Sequence, residues 1–188
     1  MAGDWSASFS LKNGVGLYGG FAGHEVSREE RGPAGRSTIL SGAIDSNVSN
    51  RSLHVVTARD LNASAVLEGF VIRDGRAIRF DEAGKGGGLY AVFGSPTITN
   101  CVFERNIARF GGAVYLFQSA PHFTNCVFTD NNSTNGLGGA VCSHASSPVF
   151  ANTVFAHNSA PGGGAIHEVV DIQSPDEYSL SEQKLISQ

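Results

Sequence analysis

The chain has 188 residues, of which 24 are glycine and 41% are hydrophobic, and its formal net charge is −4. This composition suffices for one elongated domain and is too rich in glycine for a helical one. The lack of a basic excess argues against nucleic acid as a partner, the three cysteines do not form an even disulfide framework, and no apolar run is long enough to span a membrane.

The N-terminal part predicts short strands interrupted by two polar inserts. Residues 6–23 predict a first coil, because apolar and polar residues alternate between glycines. A strand is expected at residues 53–56, and residues 67–72 are a degenerate copy of the repeat that follows. The charged inserts at residues 24–36 and 76–85 predict solvated loops, with a ligand-binding loop as the alternative for the first.

Residues 86–167 contain one motif three times, with the start of a fourth copy. Glycine pairs begin at 86, 111, 138 and 163, so the period is 25, 27 and 25 residues. Each full copy runs through a proline to an Asn and closes on Phe-x-x-Asn, with strand-forming residues alternating between the glycines. No window has a sustained helical period. The repeat therefore predicts an all-β fold, a parallel β-solenoid of about six or seven coils with two or three strands each.

Equivalent residues of successive coils lie one above another in a parallel stack, so the alignment predicts columns of side chains. Stacked amides can pass hydrogen bonds along the axis, and apolar columns belong in the interior. The three predicted apolar columns are Leu89, Val114, Val141 and Ile166, then Ile98, Phe123 and Phe150, then Phe103, Phe128 and Phe155; the two amide columns are Asn100, Asn125 and Asn152, and Asn106, Asn131 and Asn158.

Gly-Gly-Ala-Val/Ile paired with Phe-x-x-Asn resembles the repeat of the chlamydial polymorphic outer-membrane proteins, and similar repeats occur in large secreted or surface proteins of environmental bacteria. The resemblance covers residues 86–167. It implies a right-handed parallel β-helix of the pectin-lyase type that is secreted or displayed at the cell surface, often as an adhesin or autotransporter passenger. It implies no catalytic residue, because these motifs are structural. Since no signal peptide is present at Met1, we expect the chain to be a fragment of such an exported protein.

The domain boundaries follow from where the repeat stops. Residues 1–167 are predicted to form the β-helix, and residues 168–188 form a tail without glycine or motif. Residues 182–187 resemble the start of an epitope tag, which favours a vector-derived tail. The alternative is that the tail caps the open end of the solenoid, where backbone groups would otherwise be unpaired.

A charged column is the first candidate site. Asp74, Arg105, Asp130 and His157 align at successive coils, and Arg73 aligns with Glu104 beside them. The charges alternate in sign, which favours a structural ladder. The alternative is an acid–base strip, because polysaccharide lyases of the fold that the resemblance implies use clustered Asp for calcium and an Arg or Lys as base. Calcium is expected only under that alternative, and no other cofactor is expected.

An aromatic strip is the second candidate site. Tyr90, Tyr115 and Phe117 are predicted to point outward, where they suit a sugar ring or a partner protein. The equal alternative is that an insert covers the strip. Cys101 and Cys126 align one coil apart and are predicted to be buried free thiols. The six histidines fall in different columns, so no metal site is predicted.

The resulting hypothesis is a non-catalytic exported surface domain that adheres to a glycan or to a host or cell-surface protein. Two alternatives from other classes stay open: a polysaccharide lyase or glycosidase of the same fold, and a purely structural stalk. The sequence leaves the oligomeric state open.

Overall fold

The computed structural model describes residues 4–31, 38–44 and 50–169. The protein is an all-β parallel β-solenoid, a β-helix. Four parallel sheets run along its axis. Sheet 1 contains β1 (Phe9–Ser10), β4 (Val56–Arg59), β8 (Leu89–Val92), β12 (Val114–Phe117), β16 (Val141–His144) and β19 (Ile166–Val169).

The other three sheets complete each turn. Sheet 2 contains β2 (Gly16–Tyr18), β5 (Val66–Glu68), β9 (Thr97–Thr99), β13 (His122–Thr124) and β17 (Val149–Ala151). Sheet 3 contains β3 (Thr38–Ser41), β6 (Phe70–Arg73), β10 (Val102–Glu104), β14 (Val127–Thr129) and β18 (Val154–Ala156). Sheet 4 contains β7 (Arg76–Ala77), β11 (Ile107–Phe110) and β15 (Asn132–Leu137).

The prediction of six or seven coils, with two or three strands each, was wrong on both counts. The chain visits sheets 1, 2, 3 and 4 in turn, so a regular coil has four short strands. Residues 4–85 form two coils, because the two inserts occupy much of their length. The insert parts that the structure describes contain two short 3-10 segments, Arg28–Glu30 and Glu82–Gly84.

Each coil turns at corners where the backbone has positive φ. The corner before sheet 1 uses the first glycine of each pair, with φ between 60° and 62° at Gly86, Gly111 and Gly138. A Cβ at Gly111 would lie 2.0 Å from the Val114 carbonyl oxygen. The repeated glycine is therefore required both by its φ and by the space. The corner between sheets 2 and 3 uses an Asn, which tolerates this conformation better than most residues.

The three predicted apolar columns are confirmed. Phe103, Phe128 and Phe155 pair in register across β10, β14 and β18, and their rings stack with centroids 4.9 Å apart. Phe123 and Phe150 stack at 5.1 Å in the neighbouring column. Rings of the two columns meet edge to face, as at Phe103 and Phe123, so the interior is one continuous aromatic core.

Both amide columns are confirmed, and they differ in burial. In the inner column, Asn131 Oδ1 accepts from the backbone N–H of Asn106 at 3.0 Å and from its Nδ2 at 3.1 Å. Asn131 Nδ2 donates to the Phe103 carbonyl oxygen at 2.9 Å. The ladder ends at Gly75, whose N–H donates to Asn106 Oδ1 at 3.0 Å. The outer column, from Asn100 to Asn152, is exposed and linked by side-chain amides alone.

Of the predictions for the N-terminal part, the degenerate copy of the repeat is confirmed and the bounds of one strand were wrong. The degenerate copy is in the predicted register, with Leu67 opposite Ile98 and Ile72 opposite Phe103. The strand expected at residues 53–56 begins only at Val56 and runs to Arg59, so its bounds were wrong. Residues 32–37 of the first insert and residues 170–188 of the predicted tail lie outside the described residues.

Candidate functional site

The outer face of sheet 1 carries the predicted aromatic strip. Alternate residues of each strand face outward, so Tyr90 lies opposite Tyr115, and Phe117 lies opposite His144. The Tyr90 and Tyr115 rings stack with centroids 5.9 Å apart and an interplanar angle of 11°. The structure therefore brings the three predicted ligand-binding residues together on one surface.

Tyr115 is much less accessible than the strip hypothesis expects. Its side chain is only 4% exposed, and the Lys85 ammonium lies 4.9 Å from its ring centroid. Its hydroxyl lies 3.5 Å from Nδ1 of His144. Lys85 closes the insert at residues 76–85, so one end of that insert covers this part of the strip. The strip is partly covered, which combines the two alternatives that the sequence left open.

Tyr90 is held between rings of the preceding and following coils. His54 stacks on it at 4.9 Å, while Tyr115 stacks at 5.9 Å. Both ring faces are thus occupied, and Tyr90 presents only its edge to solvent. His54 Nδ1–H donates to the Gly86 carbonyl oxygen at 2.9 Å. Burial lowers the pKa of His54, against the opposing effect of this hydrogen bond, so the stacked imidazole is neutral at neutral pH.

Phe93 is the residue that the sequence analysis missed. It occupies a positive-φ corner directly after β8, with φ 56°, and its side chain is 47% exposed. Its ring meets Phe117 edge to face at 5.5 Å, and Phe117 meets His144 in the same way at 5.1 Å. A signal was available, because Gln118 and Ala145 hold the equivalent corner in the next two coils and only Phe93 is large and apolar.

Arg59 adds a positive charge to this surface. Its guanidinium carbon lies 5.7 Å from the Tyr90 ring centroid, and no ion pair joins it to any described residue. The strands β4, β8, β12 and β16 contain no Asp or Glu. We name the surface formed by Arg59, Tyr90, Phe93, Phe117 and His144 the aromatic face.

The charged column lies at the corner between sheets 3 and 4. Asp74, Arg105, Asp130 and His157 all have positive φ there, between 52° and 64°. Asp74 pairs with Arg51 at 3.2 Å and with Arg105 at 3.9 Å. Among the described residues, neither Asp130 nor His157 is joined to an ion pair, and Asp130 instead accepts from Thr129 Oγ1 at 2.9 Å. The ladder predicted over four coils therefore joins only two.

Glu104 and Arg73 extend this cluster sideways. Arg105 pairs with Glu104 at 2.6 Å, and Arg73 pairs with Glu104 at 3.5 Å, as the predicted alignment of Arg73 with Glu104 implied. Each carboxylate of the cluster is thus engaged by guanidinium groups. Such pairing suits a structural fastening at the surface better than a free general base.

The first insert is fastened to sheet 2 by a half-buried ionic cluster. Glu68 is buried and pairs with Arg28 at 2.7 Å and with Arg31. Glu25 folds back on its own segment and accepts from the N–H groups of Ala22, Gly23 and His24. These bonds, the one from Ala22 first, lower the pKa of Glu25 to about 2. The described part of the insert therefore uses its charges to hold itself in place.

The three thiols are inert, and the prediction of buried free cysteines is confirmed. Burial raises the pKa of Cys101 to about 12, of Cys126 to about 11 and of Cys142 to about 12. Thiols protonated at neutral pH are poor nucleophiles and metal ligands. Within residues 4–31, 38–44 and 50–169, no three His, Cys, Asp or Glu side chains are grouped so as to hold a metal ion.

Comparisons with known proteins found no match for this chain, whether among family models, curated proteins or solved structures. In the part of the chain that the structure describes, no helix is long and apolar enough to cross a membrane.

Proposed function

We propose that this protein is a non-catalytic binding domain of an exported bacterial surface protein, and that it adheres to a glycan through the aromatic face. The observation that carries the proposal is the exposed ring of Phe93 beside Phe117, with the guanidinium of Arg59 on the same surface. Exposed rigid rings give contact area at little cost in conformational entropy, which is why they suit recognition surfaces.

The chemistry of the aromatic face favours a glycan that carries acidic groups. The faces of Tyr90 are occupied by neighbouring rings, so a sugar ring has to lie against Phe93 and Phe117. A guanidinium offers paired donors that match a carboxylate or a sulfate. The outward positions of these strands contain no carboxylate that would repel such a group.

A polysaccharide lyase is the second candidate, and one observation favours it. Asp130 and His157 occupy equivalent corners of adjacent coils and are joined to no ion pair among the described residues. A carboxylate and an imidazole that are not held in ion pairs are groups that can carry out the proton transfer from a sugar. The ion pairs of Asp74 and Arg105 weigh against it, because they occupy the remaining groups of the column.

The test is binding on a glycan array followed by titration of the best ligands. Phe93→Ala and Phe117→Ala are expected to weaken binding, and Arg59→Ala to weaken binding of acidic glycans selectively. Phe80→Ala is the matched control, because Phe80 is 91% exposed on the insert at residues 76–85 and lies outside the aromatic face. Display of many copies should raise the apparent affinity, since single contacts of this kind are weak.

The same preparation is incubated with pectin, alginate and other uronic-acid polymers, with and without calcium. Unsaturated products that disappear in Asp130→Asn or Arg105→Ala would establish the lyase and overturn the binding proposal. If the protein shows neither turnover nor glycan binding, the structural stalk is the remaining hypothesis. Binding that is unchanged in Phe93→Ala and Phe117→Ala would refute the aromatic face as the contact surface.

A further inference from the structure

Three peptide bonds of this chain join an Asn or Asp to a glycine: Asn13–Gly14, Asp74–Gly75 and Asn135–Gly136. At such a bond the glycine nitrogen can attack the side-chain carbonyl carbon of the preceding residue, because glycine has no Cβ to hinder the approach. The attack requires that this nitrogen be free of other hydrogen bonds and that the side chain be able to turn toward it. The structure separates the three sites by these requirements.

Two of the three glycine nitrogens are engaged. The Gly14 N–H donates to Ser64 Oγ at 2.8 Å, and the Gly75 N–H donates to Asn106 Oδ1 at 3.0 Å. Gly136 has no partner residue in the register of sheet 4, which pairs Ala108 with Ser133 and then Phe110 with Leu137. The first two sites therefore hold their glycine nitrogens in specific bonds to side-chain oxygens, whereas the third site lies where the strand register is interrupted.

The side chains of Asn13 and Asn135 also differ in how firmly hydrogen bonds hold them. Asn13 is held at both ends of its amide, since its Oδ1 accepts from the Asn62 N–H at 2.8 Å and its Nδ2 donates to the Asp60 carbonyl at 3.4 Å. Asn135 is exposed, and its Oδ1 has one long contact with Arg109 Nη2 at 3.5 Å. The Asn135 amide is thus free to turn, and the Arg109 guanidinium withdraws electrons from its carbonyl.

The interruption of the register at this site is a bulge in sheet 4. Ala108 pairs with Ser133 and Phe110 pairs with Leu137, so residues 134–136 lie opposite the single residue Arg109. These two additional residues account for the one period of 27 in a repeat of 25. Extra residues of a bulge are unpaired by construction, and Gly136 has φ +100° within it.

We infer that Asn135 is a site of spontaneous covalent modification, the deamidation of its side chain, and that Asn13 is protected from the same reaction. The Gly136 nitrogen gives up its proton and forms a bond to Asn135 Cγ, and the side-chain nitrogen leaves as ammonia. The product is a five-membered cyclic imide. Water then adds to either carbonyl and opens the ring to aspartate or to its β-linked isomer. The net reaction consumes one water and converts the amide to a carboxylate.

The surroundings favour a modified protein that stays folded. Gly136 is buried, but the attack is internal to the dipeptide, and water is needed only at the exposed position 135. The new carboxylate lies where Arg109 already reaches. The β-linked isomer adds one atom to the backbone, which a bulge accommodates more easily than a paired strand. Each event also makes the acidic chain more negative by one charge.

The experiment is incubation of the intact chain in mildly alkaline buffer, followed by peptide mapping with mass spectrometry and an assay for β-linked aspartate. Conversion at Asn135 is expected to be faster than at Asn13 by about tenfold, the factor that corresponds to breaking one hydrogen bond. In denaturant the two sites should convert at similar rates, since each is followed by glycine. Native rates at Asn13 equal to or above those at Asn135 would overturn the inference.

Two variants complete the test. Ser64→Ala removes the acceptor of the Gly14 N–H and should raise conversion at Asn13 while leaving Asn135 unchanged. Asn135→Gln should abolish the slow acidic shift of the native protein on ion exchange. If the acidic shift persists in Asn135→Gln, or if native Asn135 is as stable as Asn13, the assignment is wrong.

Discussion

Different interactions stabilise the regular coils at residues 86–162 and the two N-terminal coils. In the regular coils, Phe103, Phe128 and Phe155 stack at 4.9 Å beside a buried amide ladder. Each contact recurs one coil later in the same register. Stability of this kind is distributed along the axis, because every coil contributes the same nearest-neighbour contacts.

The N-terminal coils have smaller interior side chains and depend more on charge. Leu67 and Ile72 hold the positions that Phe123 and Phe128 hold later. The amide ladder has ended at Gly75, and ionic clusters around Glu68 and Asp74 connect the coils to each other and to the first insert. These fastenings are local and depend on ionic strength.

The comparison shows that the repeat supplies the contacts that stack one coil on the next, whereas the inserts supply ionic contacts at the surface. Periodic contacts need only one motif, whereas each ionic cluster is built once from residues that do not repeat. Variants of the two regions should therefore differ in size of effect, in salt dependence and in how far the effect spreads.

The largest effect is expected from the aromatic column. Phe128→Ala removes a fully buried ring between Phe103 and Phe155 and should lower the free energy of unfolding by about 3–5 kcal/mol. The matched control is Phe9→Ala, because Phe9 is half-exposed in the first coil. Urea denaturation followed by circular dichroism measures both. A loss below about 1 kcal/mol for Phe128→Ala would remove this ring from the core.

The inner amide ladder should come next. Asn131→Ala removes the acceptor of the buried Asn106 backbone N–H, together with the bonds of Asn131 to Asn106 Nδ2 and to the Phe103 carbonyl, so we expect a loss of about 2–3 kcal/mol. Asn125→Gly in the exposed ladder is the control, since glycine keeps the positive φ of that corner. Equal losses in the two variants would contradict the distinction between a buried and an exposed ladder.

Loss of the ionic cluster that joins Glu68 to Arg28 and Arg31 of the first insert should have a smaller and local effect. Glu68→Gln removes the charge that holds Arg28 and Arg31, which should cost about 1.5 kcal/mol of local stability. Limited trypsin digestion is the measurement, because both arginines become cleavage sites once the segment is released. Glu104→Gln is the control on the other ionic cluster. Cleavage at Arg28 that is as slow in Glu68→Gln as in the native protein would show that the Glu68 ion pairs do not hold the first insert in place.

Much of the fold could be predicted from the sequence because the period fixes the register. Once Phe103 is aligned with Phe128, every inward residue of the coil follows, and so do the Asn131 ladder and the buried thiols. The number of coils could not be predicted in the same way. Inserts add length without adding a coil, and no pattern at residues 24–36 or 76–85 says where they rejoin the stack.

The candidate sites were predicted less completely, for a related reason. Alignment places Tyr115 on the outer face, but its burial depends on Lys85, which reaches it from an insert that has no repeat to align. Phe93 was overlooked because its corner is not a strand position. Asp130 was placed in the correct column, yet a corner side chain that points to solvent need not contact its neighbour along the axis.

The smallest effect is expected at the charged column. Arg105 is half-exposed and pairs with Asp74 and Glu104, so Arg105→Glu should cost roughly 0.2–1 kcal/mol. The loss should be greater at low salt than at high salt, because exposed charges are screened. Asp130→Asn is the matched control one coil further along, and it should leave stability nearly unchanged, since no described residue forms an ion pair with Asp130. Denaturation midpoints at two salt concentrations measure both variants. A loss in Arg105→Glu that is independent of salt would mean that its packing, and not its charge, holds this corner, and an equal loss in Asp130→Asn would mean that the ladder extends over more coils than the ion pairs join.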